Sequence, residues 1–354
     1  MILKEAQLRK TEANEPITTV FIGGGTPSLL PAEVFSGLIN GLNHIYDLNA
    51  VREFTAEANP GTVTVEWLDM AVTLGVNRIS FGMQAYQDRI LHLLGRIHRF
   101  EDVVSSVSLA RRAGIGNISI DLIFGIPGQT ISDWTQTADA ALSLKPEHLS
   151  AYGLIPEEGT PLYKDLESGH FTLPDPDLER GMYDLVISKT AEAGFHQYEI
   201  SNFALAGFEC EHNKGYWTQI PYIGLGVSAA SMTGIRYSAD GMDYHRRTNP
   251  VTLDQYENMI SSGILSSADL ISPADSRFET MMLGLRMNQG VEESAFLKKH
   301  RVTLEQCYGK KLRTMEKLGL CKHENGVWKL TRRGFDVQNS ILVELMDDGL
   351  SSER

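Results

Sequence analysis

Three consecutive glycines, Gly23–Gly25, follow the apolar run Thr18–Ile22 and precede Thr26 and Pro27. A glycine run lets a backbone approach a ligand closely or turn through positive φ. No Gly-Lys-Ser/Thr follows, so this is no phosphate-cradling P-loop, and the G-x-G-x-x-G spacing of a dinucleotide site is absent. The stretch offers backbone amides and carbonyls beside the Thr26 hydroxyl, which suits a small ligand bearing an ammonium and a carboxylate. A compact strand-to-helix turn accounts for it equally well. Glu57 is placed to accept two hydroxyls, as from a ribose, and so is Asp121, which lies in an otherwise apolar strand. Gln84 and Arg96, either side of "AYQDRILHLLG", are suited to a carboxylate, Arg96 through its planar fork. A surface ion pair is the competing reading of Arg96.

These residues need elements to converge them. β-rich runs at Thr18–Gly23, Glu53–Glu57, Arg78–Gly82, Ile118–Phe124 and Leu149–Leu154 alternate with amphipathic stretches at Ala32–Tyr46, Val65–Leu74, Asp102–Arg112 and Ile131–Leu144. Repeated strand–helix units predict parallel strands with right-handed crossovers, in a doubly wound sheet or a (β/α) barrel. Each strand ends in a polar or glycine signature, delivering Thr26, Glu57, Gln84, Asp121 and Tyr152 to one rim. That regularity favours the barrel, whose site is built by the loops after its strands.

After Pro156 the pattern loosens into a turn-rich connection, then a helix over Pro176–Ala193 and an aromatic, glycine-dense stretch. The end reads as helix, a two-strand wing around Asn325-Gly326, and a final helix, a winged-helix-like module. The net charge is −13, which argues against general nucleic-acid binding, although Gly290–Asp336 holds 11 Lys and Arg against 6 Asp and Glu. Cys210, Cys307 and Cys321 have no metal-site spacing and read as buried or surface thiols in a reducing compartment. No 18-residue apolar run and no leader pattern occurs, so the expected location is the cytoplasm.

In this order, GGGTPSLL, EANPGT, RISFGMQ with LLGRIH, DLIFGIPGQT and YGLIPEEGTPLY resemble the radical S-adenosylmethionine (SAM) family. Within it, the resemblance is to oxygen-independent coproporphyrinogen oxidase-like proteins and most closely to HemW-type haem chaperones. YEISNFA and HNKGYW are markers of that type, and ETMMLGLRMNQGV with the winged end resembles the family's C-terminal domain. The resemblance covers nearly the whole chain. It implies an α/β fold, a partial (β/α) radical SAM barrel lacking its first strand, with a C-terminal helical, winged-helix domain. The corresponding segments are 1–200 for the barrel, 201–275 for a connecting region with HNKGYW, and 276–354 for the C-terminal domain.

The resemblance also implies roles. Gly24, Gly25 and Thr26 would line the methionine end of SAM, Glu57, Gln84, Arg96 and Asp121 would contact SAM, and Gly153 would lie near its adenosine. His212 matches the family's haem-binding motif, with Tyr216 and Trp217 as an aromatic setting for a porphyrin. A buried histidine bonded to a backbone carbonyl is the competing reading. The GLGVSAAS stretch, Gly224–Ser231, departs from the glycine/alanine/histidine-rich run usual there. The family's [4Fe–4S] cluster is held by a C-x-x-x-C-x-x-C loop before the GGGTP strand, and this sequence has no cysteine before Cys210. Radical chemistry is therefore not expected of the chain as given: either a longer natural chain supplies the loop or a cluster-free form stands by itself. The expected function is a haem chaperone that binds haem and passes it to an acceptor protein. The alternative, if the cysteine segment exists, is an oxygen-independent coproporphyrinogen III dehydrogenase. DNA binding by the basic winged module is disfavoured by the overall charge.

Overall fold

The computed structural model describes residues 1–346. It divides into two compact units, residues 18–40 with 51–211, and residues 1–17 with 41–50 and 212–346.

The first unit is built on a seven-stranded sheet. β1 (Thr19–Ile22), β2 (Glu53–Ala58), β3 (Arg78–Gln84), β4 (Asn117–Phe124) and β5 (His148–Gly153) are parallel neighbours in chain order. A short hairpin, β6 (His196–Glu199) and β7 (Asn202–Ala204), extends the sheet antiparallel beyond β5. Helices Ala32–Tyr46, Val65–Thr73, Phe100–Arg112 and Ile131–Ser143 lie between successive parallel strands. The partial barrel that the resemblance implies is the observed architecture, a curled half-barrel with β1 at its edge. The β6–β7 hairpin has no counterpart in the sequence reading, because two strands this short carry too little periodicity to stand out.

Successive strand residues face opposite sides of a sheet. One set, including Phe54, Ala56, Ile79, Phe81, Ile118, Ile120, Leu149 and Ala151, packs with Trp67, Trp134 and Phe203 into one apolar core. The alternate set is polar: Thr55 and Glu57, Ser80 and Gln84, Ser119 and Asp121, His148, Ser150 and Tyr152. Every residue of β3 is buried, so its polar side chains face the interior of the half-barrel, away from solvent.

The second unit holds two antiparallel sheets. β8 (Ala230–Ser238), β9 (Gly241–Thr248) and β10 (Asp269–Ile271) form one, in the order β10-β9-β8. β11 (Val291–Glu292), β12 (Cys321–Glu324) and β13 (Val327–Leu330) form the other, with β13 central. The wing thus has three strands instead of the expected two, β11 being a two-residue addition. Its turn is the one that Asn-Gly demands, with φ of 52° at Asn325 and 75° at Gly326. Helices Glu293–His300, Leu304–Lys317 and Gln338–Leu345 pack on it around Phe296, Tyr308, Leu312 and Trp328. Among the described residues, no helix is long and apolar enough to cross a membrane.

Trp134 anchors the outer face of the first unit. It is fully buried, and its indole N–H donates to Met182 O at 2.7 Å. Trp134→Ala removes a large core side chain and its indole hydrogen bond to that carbonyl. The expected loss is about 3–5 kcal/mol, read by urea unfolding followed with circular dichroism.

Candidate functional site

The parallel register places Glu57 beside Ser80, Ser80 beside Ser119, and Ser119 beside His148 on one inner face. Glu57 is partly buried, and its Oε2 accepts the Gly24 N–H at 3.2 Å. Burial pushes its carboxyl above the usual range, the Gly24 bond opposes this, and the neighbouring Asp121 adds to it. A Cβ on Gly23 would stand 2.8 Å from that carboxylate, so any other residue there would push the Glu57 carboxylate aside. Gly24 and Gly25 are required for another reason, φ values of 79° and 78°.

Asp121 accepts Ser80 Oγ at 3.0 and 2.9 Å and Ser119 Oγ at 3.3 Å. Burial raises its carboxyl, against the pull of the Ser80, Ser150 and Ser119 hydroxyls and of Arg78. Behind it, His148 bonds Ser119 Oγ at 2.9 Å and the Tyr198 hydroxyl at 2.8 Å. Burial, helped by Arg78, holds His148 well below the usual imidazole range, so it is neutral.

Arg96 donates to Asn59 Oδ1 at 2.9 Å, and Asn59 donates to Thr26 Oγ1 at 2.8 Å. One side-chain amide therefore ties three loops together. Gln84 sits at φ 63° where the β3–β4 register shifts, and its Oε1 is buried with no hydrogen-bond partner. Positive φ and an orphaned oxygen at a strand end are features that collect at ligand sites. The Tyr152 phenol bonds Gln84 and lies within the fields of Asp121, Arg96 and Glu57. A Cβ on Gly153 would stand 2.7 Å from Glu179 Oε1, beside a recess of about 310 Å³ lined by Phe124, Tyr152, Glu179 and Tyr183.

The structure thus brings together Gly24, Thr26, Glu57, Gln84, Arg96 and Asp121, with Gly25 beside them in the chain, and places Gly153 apart from them, against Glu179 and Phe124. The reading by sequence missed Asn59, Ser80, Ser119, His148 and Ser150. The signal of Ser80, Ser119 and Ser150 was present in the polar–apolar alternation of RISFG, NISID and HLSAYG.

The donor set fits a ligand with hydroxyls and an ammonium, because raised, partly buried carboxylates gain most from such donors. The cysteines do not fit a [4Fe–4S] cluster. All three are buried: Cys210 Sγ bonds Glu53, and Cys321 Sγ bonds Leu312 O, with burial pushing its thiol up to about 12. Cys307 and Cys321 belong to the packed core of the winged module. Among the described residues, no cluster of His, Cys, Asp and Glu is placed to hold a metal ion.

His212 lies in the other compact unit, on the helix Glu211–Trp217. No side chain of this helix is fully buried. His212 Nε2 bonds the Tyr216 hydroxyl at 2.8 Å, one turn along, and the two rings meet edge-on at 4.9 Å. Tyr216 in turn meets Tyr222 edge-on at 4.7 Å. The Arg286 guanidinium lies 4.5 Å from the Trp217 ring centre. Just beyond the helix, Lys299 Nζ donates to Thr218 O at 3.3 Å and Gln219 Oε1 at 2.6 Å, and burial lowers its amine to about 8.

Residues 1–141 match the Radical SAM superfamily and residues 271–337 the HemN C-terminal domain. The heme chaperone HemW of Bacillus subtilis is 36% identical over 92% of this chain and 84% of its own length. This chain belongs to the HemW family of radical SAM proteins. The heme chaperone HemW of Lactococcus lactis is 34% identical, over 94% of this chain and 86% of its own. The radical S-adenosyl methionine domain-containing protein 1, mitochondrial, of Danio rerio is 33% identical, over 86% and 69%. The structure of coproporphyrinogen III oxidase (HemN) from Escherichia coli superposes with a TM-score of 0.79 at 21% identity, over 98% of this chain and 82% of that one. That likeness establishes the shared fold.

The raised carboxyl of Glu57 gives a stability prediction for this HemW-family chain. Its folded-state pKa lies above its unfolded value, so it favours folding only while protonated. That contribution is lost as pH rises through the raised pKa, and at neutral pH the ionised group destabilises the fold. Glu57→Gln keeps an acceptor for Gly24 N–H and removes the charge. The expected result is a higher Tm than wild type at pH 7, with the gain shrinking toward pH 4, measured by scanning calorimetry.

Proposed function

We propose that this protein is a haem chaperone, binding haem through His212 and passing it to an acceptor protein. The observation that carries the reading is the His212–Tyr216–Tyr222 file on and beside a helix with no fully buried side chain. An imidazole is a common axial ligand to haem iron, and aromatic rings beside it suit a porphyrin edge. The Tyr216 hydroxyl bonds Nε2, the nitrogen a haem iron would take, so binding would exchange one weak bond for a stronger one. A chaperone must also release its cargo, and a phenol ready to reclaim the imidazole favours release.

The rim of the first unit is the SAM site in this reading. Glu57 and Asp121 accept the ribose hydroxyls or the ammonium, Gly24, Gly25 and Thr26 lie along the methionine end, and Gln84 and Arg96 face its carboxylate. Gly153 opens the recess beside Phe124 and Tyr183 toward the adenosine. SAM supplies an adenosyl group and a sulfonium when bound; the residues of this chain hold and orient it. No step through an iron–sulfur cluster enters the proposal, since the cysteines do not fit one.

A Soret titration of the full chain with ferric haem tests the first part. His212→Ala is expected to abolish the saturable Soret shift, and an unchanged titration overturns the reading. Tyr216→Phe removes the competing hydroxyl and is expected to tighten haem binding about two- to tenfold, the worth of one ordinary hydrogen bond. Equilibrium dialysis with labelled SAM tests the rim. Gly23→Ala drives a methyl into the Glu57 carboxylate and is expected to weaken SAM binding by about tenfold or more, roughly the 1.4 kcal/mol of one misplaced charged hydrogen bond.

A further inference from the structure

The helix Ile2–Leu8 carries a fully buried carboxylate, Glu5, and is followed by a fully buried guanidinium, Arg9. Arg9 Nη1 lies 3.4 Å from Glu5 Oε1. A buried ion pair adds little net stability over an apolar pair of the same size, so its worth lies in what geometry it fixes. Here every partner is known. Glu5 accepts the Gly226 N–H at 2.9 Å, Asn249 Nδ2 at 2.7 Å and the Tyr256 hydroxyl at 2.6 Å. Arg9 donates to Gly224 O at 2.8 Å and to Glu12 through Nε and Nη2 at 3.1 and 2.7 Å. Asn249 also donates to Gly226 O at 2.7 Å. Three backbone groups of one loop, the Gly224 carbonyl and both polar groups of Gly226, are thus held by one network.

That loop begins at Tyr222. Tyr222 exchanges both backbone bonds with Met232, at 2.9 and 3.0 Å, closing a loop over residues 223–231. Inside it the chain is tight: a Cβ on Gly224 would stand 2.0 Å from Ala230 O, and Gly226 takes φ 108°. A loop closed at Tyr222 and pinned at residues 224 and 226 has little freedom to carry the Tyr222 ring away. The ring lies edge-on against Tyr216, whose hydroxyl bonds His212 Nε2. The path from Glu5 to His212 is therefore a closed loop, two aromatic rings and one hydrogen bond.

We infer that Glu5 and Arg9 are positioning residues for the His212 site, setting, through the pinned loop and Tyr222, how firmly Tyr216 covers the imidazole. The inference rests on the haem-binding reading above. Loosening the network softens the support behind the Tyr222 ring, lets Tyr216 swing off His212 more readily, and speeds haem capture. The effect acts only through the Tyr216 hydroxyl, so it vanishes where that hydroxyl is absent.

Stopped-flow mixing of the full chain with ferric haem, followed at the Soret band, reads the capture rate. Glu5→Gln replaces a carboxylate that accepts four donors with an amide whose NH2 must face two of them, weakening the network that holds the loop. Asn249→Ala cuts the tie to Gly226 O and leaves the charge pair intact, so it carries the test if Glu5→Gln does not fold. Each is expected to raise the capture rate about two- to tenfold in the wild-type background and to change nothing in the Tyr216→Phe background. General loosening of the fold would give the same factor in both backgrounds, which overturns the inference, as does an unchanged rate in the wild-type background. If His212→Ala binds haem as wild type does, the haem reading itself fails. If His212→Ala loses haem while the network variants behave as wild type, only the positioning role fails.

Discussion

The constraint on which the first unit depends is the period-two alternation of β2–β5, held level by a parallel register. Outward residues such as Phe54, Ile79, Ile120 and Leu149 bury the apolar half against helices. Inward residues at the same levels are Glu57, Ser80, Ser119 and His148. A slip of one residue in β2 or β4 would put Glu57 or Asp121 into the apolar core and turn a core side chain inward. The apolar side therefore holds a cluster of ionisable groups in place that would not assemble by itself. Its carboxyls are raised, Gln84 takes a strained φ, and its Oε1 is buried unbonded. A site held this way gains from any ligand that supplies the missing donors.

The second unit solves a related problem with different parts. The Glu211–Trp217 helix is too short to be stable by itself, and its position comes from its surroundings. Lys299 holds Thr218 O and Gln219 just past its end, Arg286 covers Trp217, and Tyr222 braces Tyr216. The supports are polar or aromatic, and every residue of the helix is half-buried. That combination suits a protein that must take up a flat, apolar, metal-bearing cargo and give it away again.

The parallel sheet was legible because its signal is repeated: five apolar runs, each followed by a polar or glycine ending, each separated by a helical period. The glycine run was legible as a close approach or a tight turn, though the sequence could not say which glycine does which. Only the structure shows Gly23 against Glu57 while Gly24 and Gly25 supply positive φ. His148 and Asn59 were not legible, because each acts through a partner far away in the chain: His148 through Tyr198, Asn59 through Thr26 and Arg96. The Glu5–Arg9 pair was hidden for the same reason, since its partners lie more than two hundred residues on. Spacing along a sequence reports helix and strand faces; it does not report a loop that returns to meet them.

The central claim is that His212 is the group that takes haem iron. Pulsed EPR of the ferric-haem complex, prepared with ¹⁵N-labelled histidine, tests it most directly. The account predicts a ¹⁵N coupling from an imidazole bound to iron in the wild-type protein, and its loss in His212→Ala. A complex with no histidine coupling, or one whose coupling survives the substitution, would contradict it.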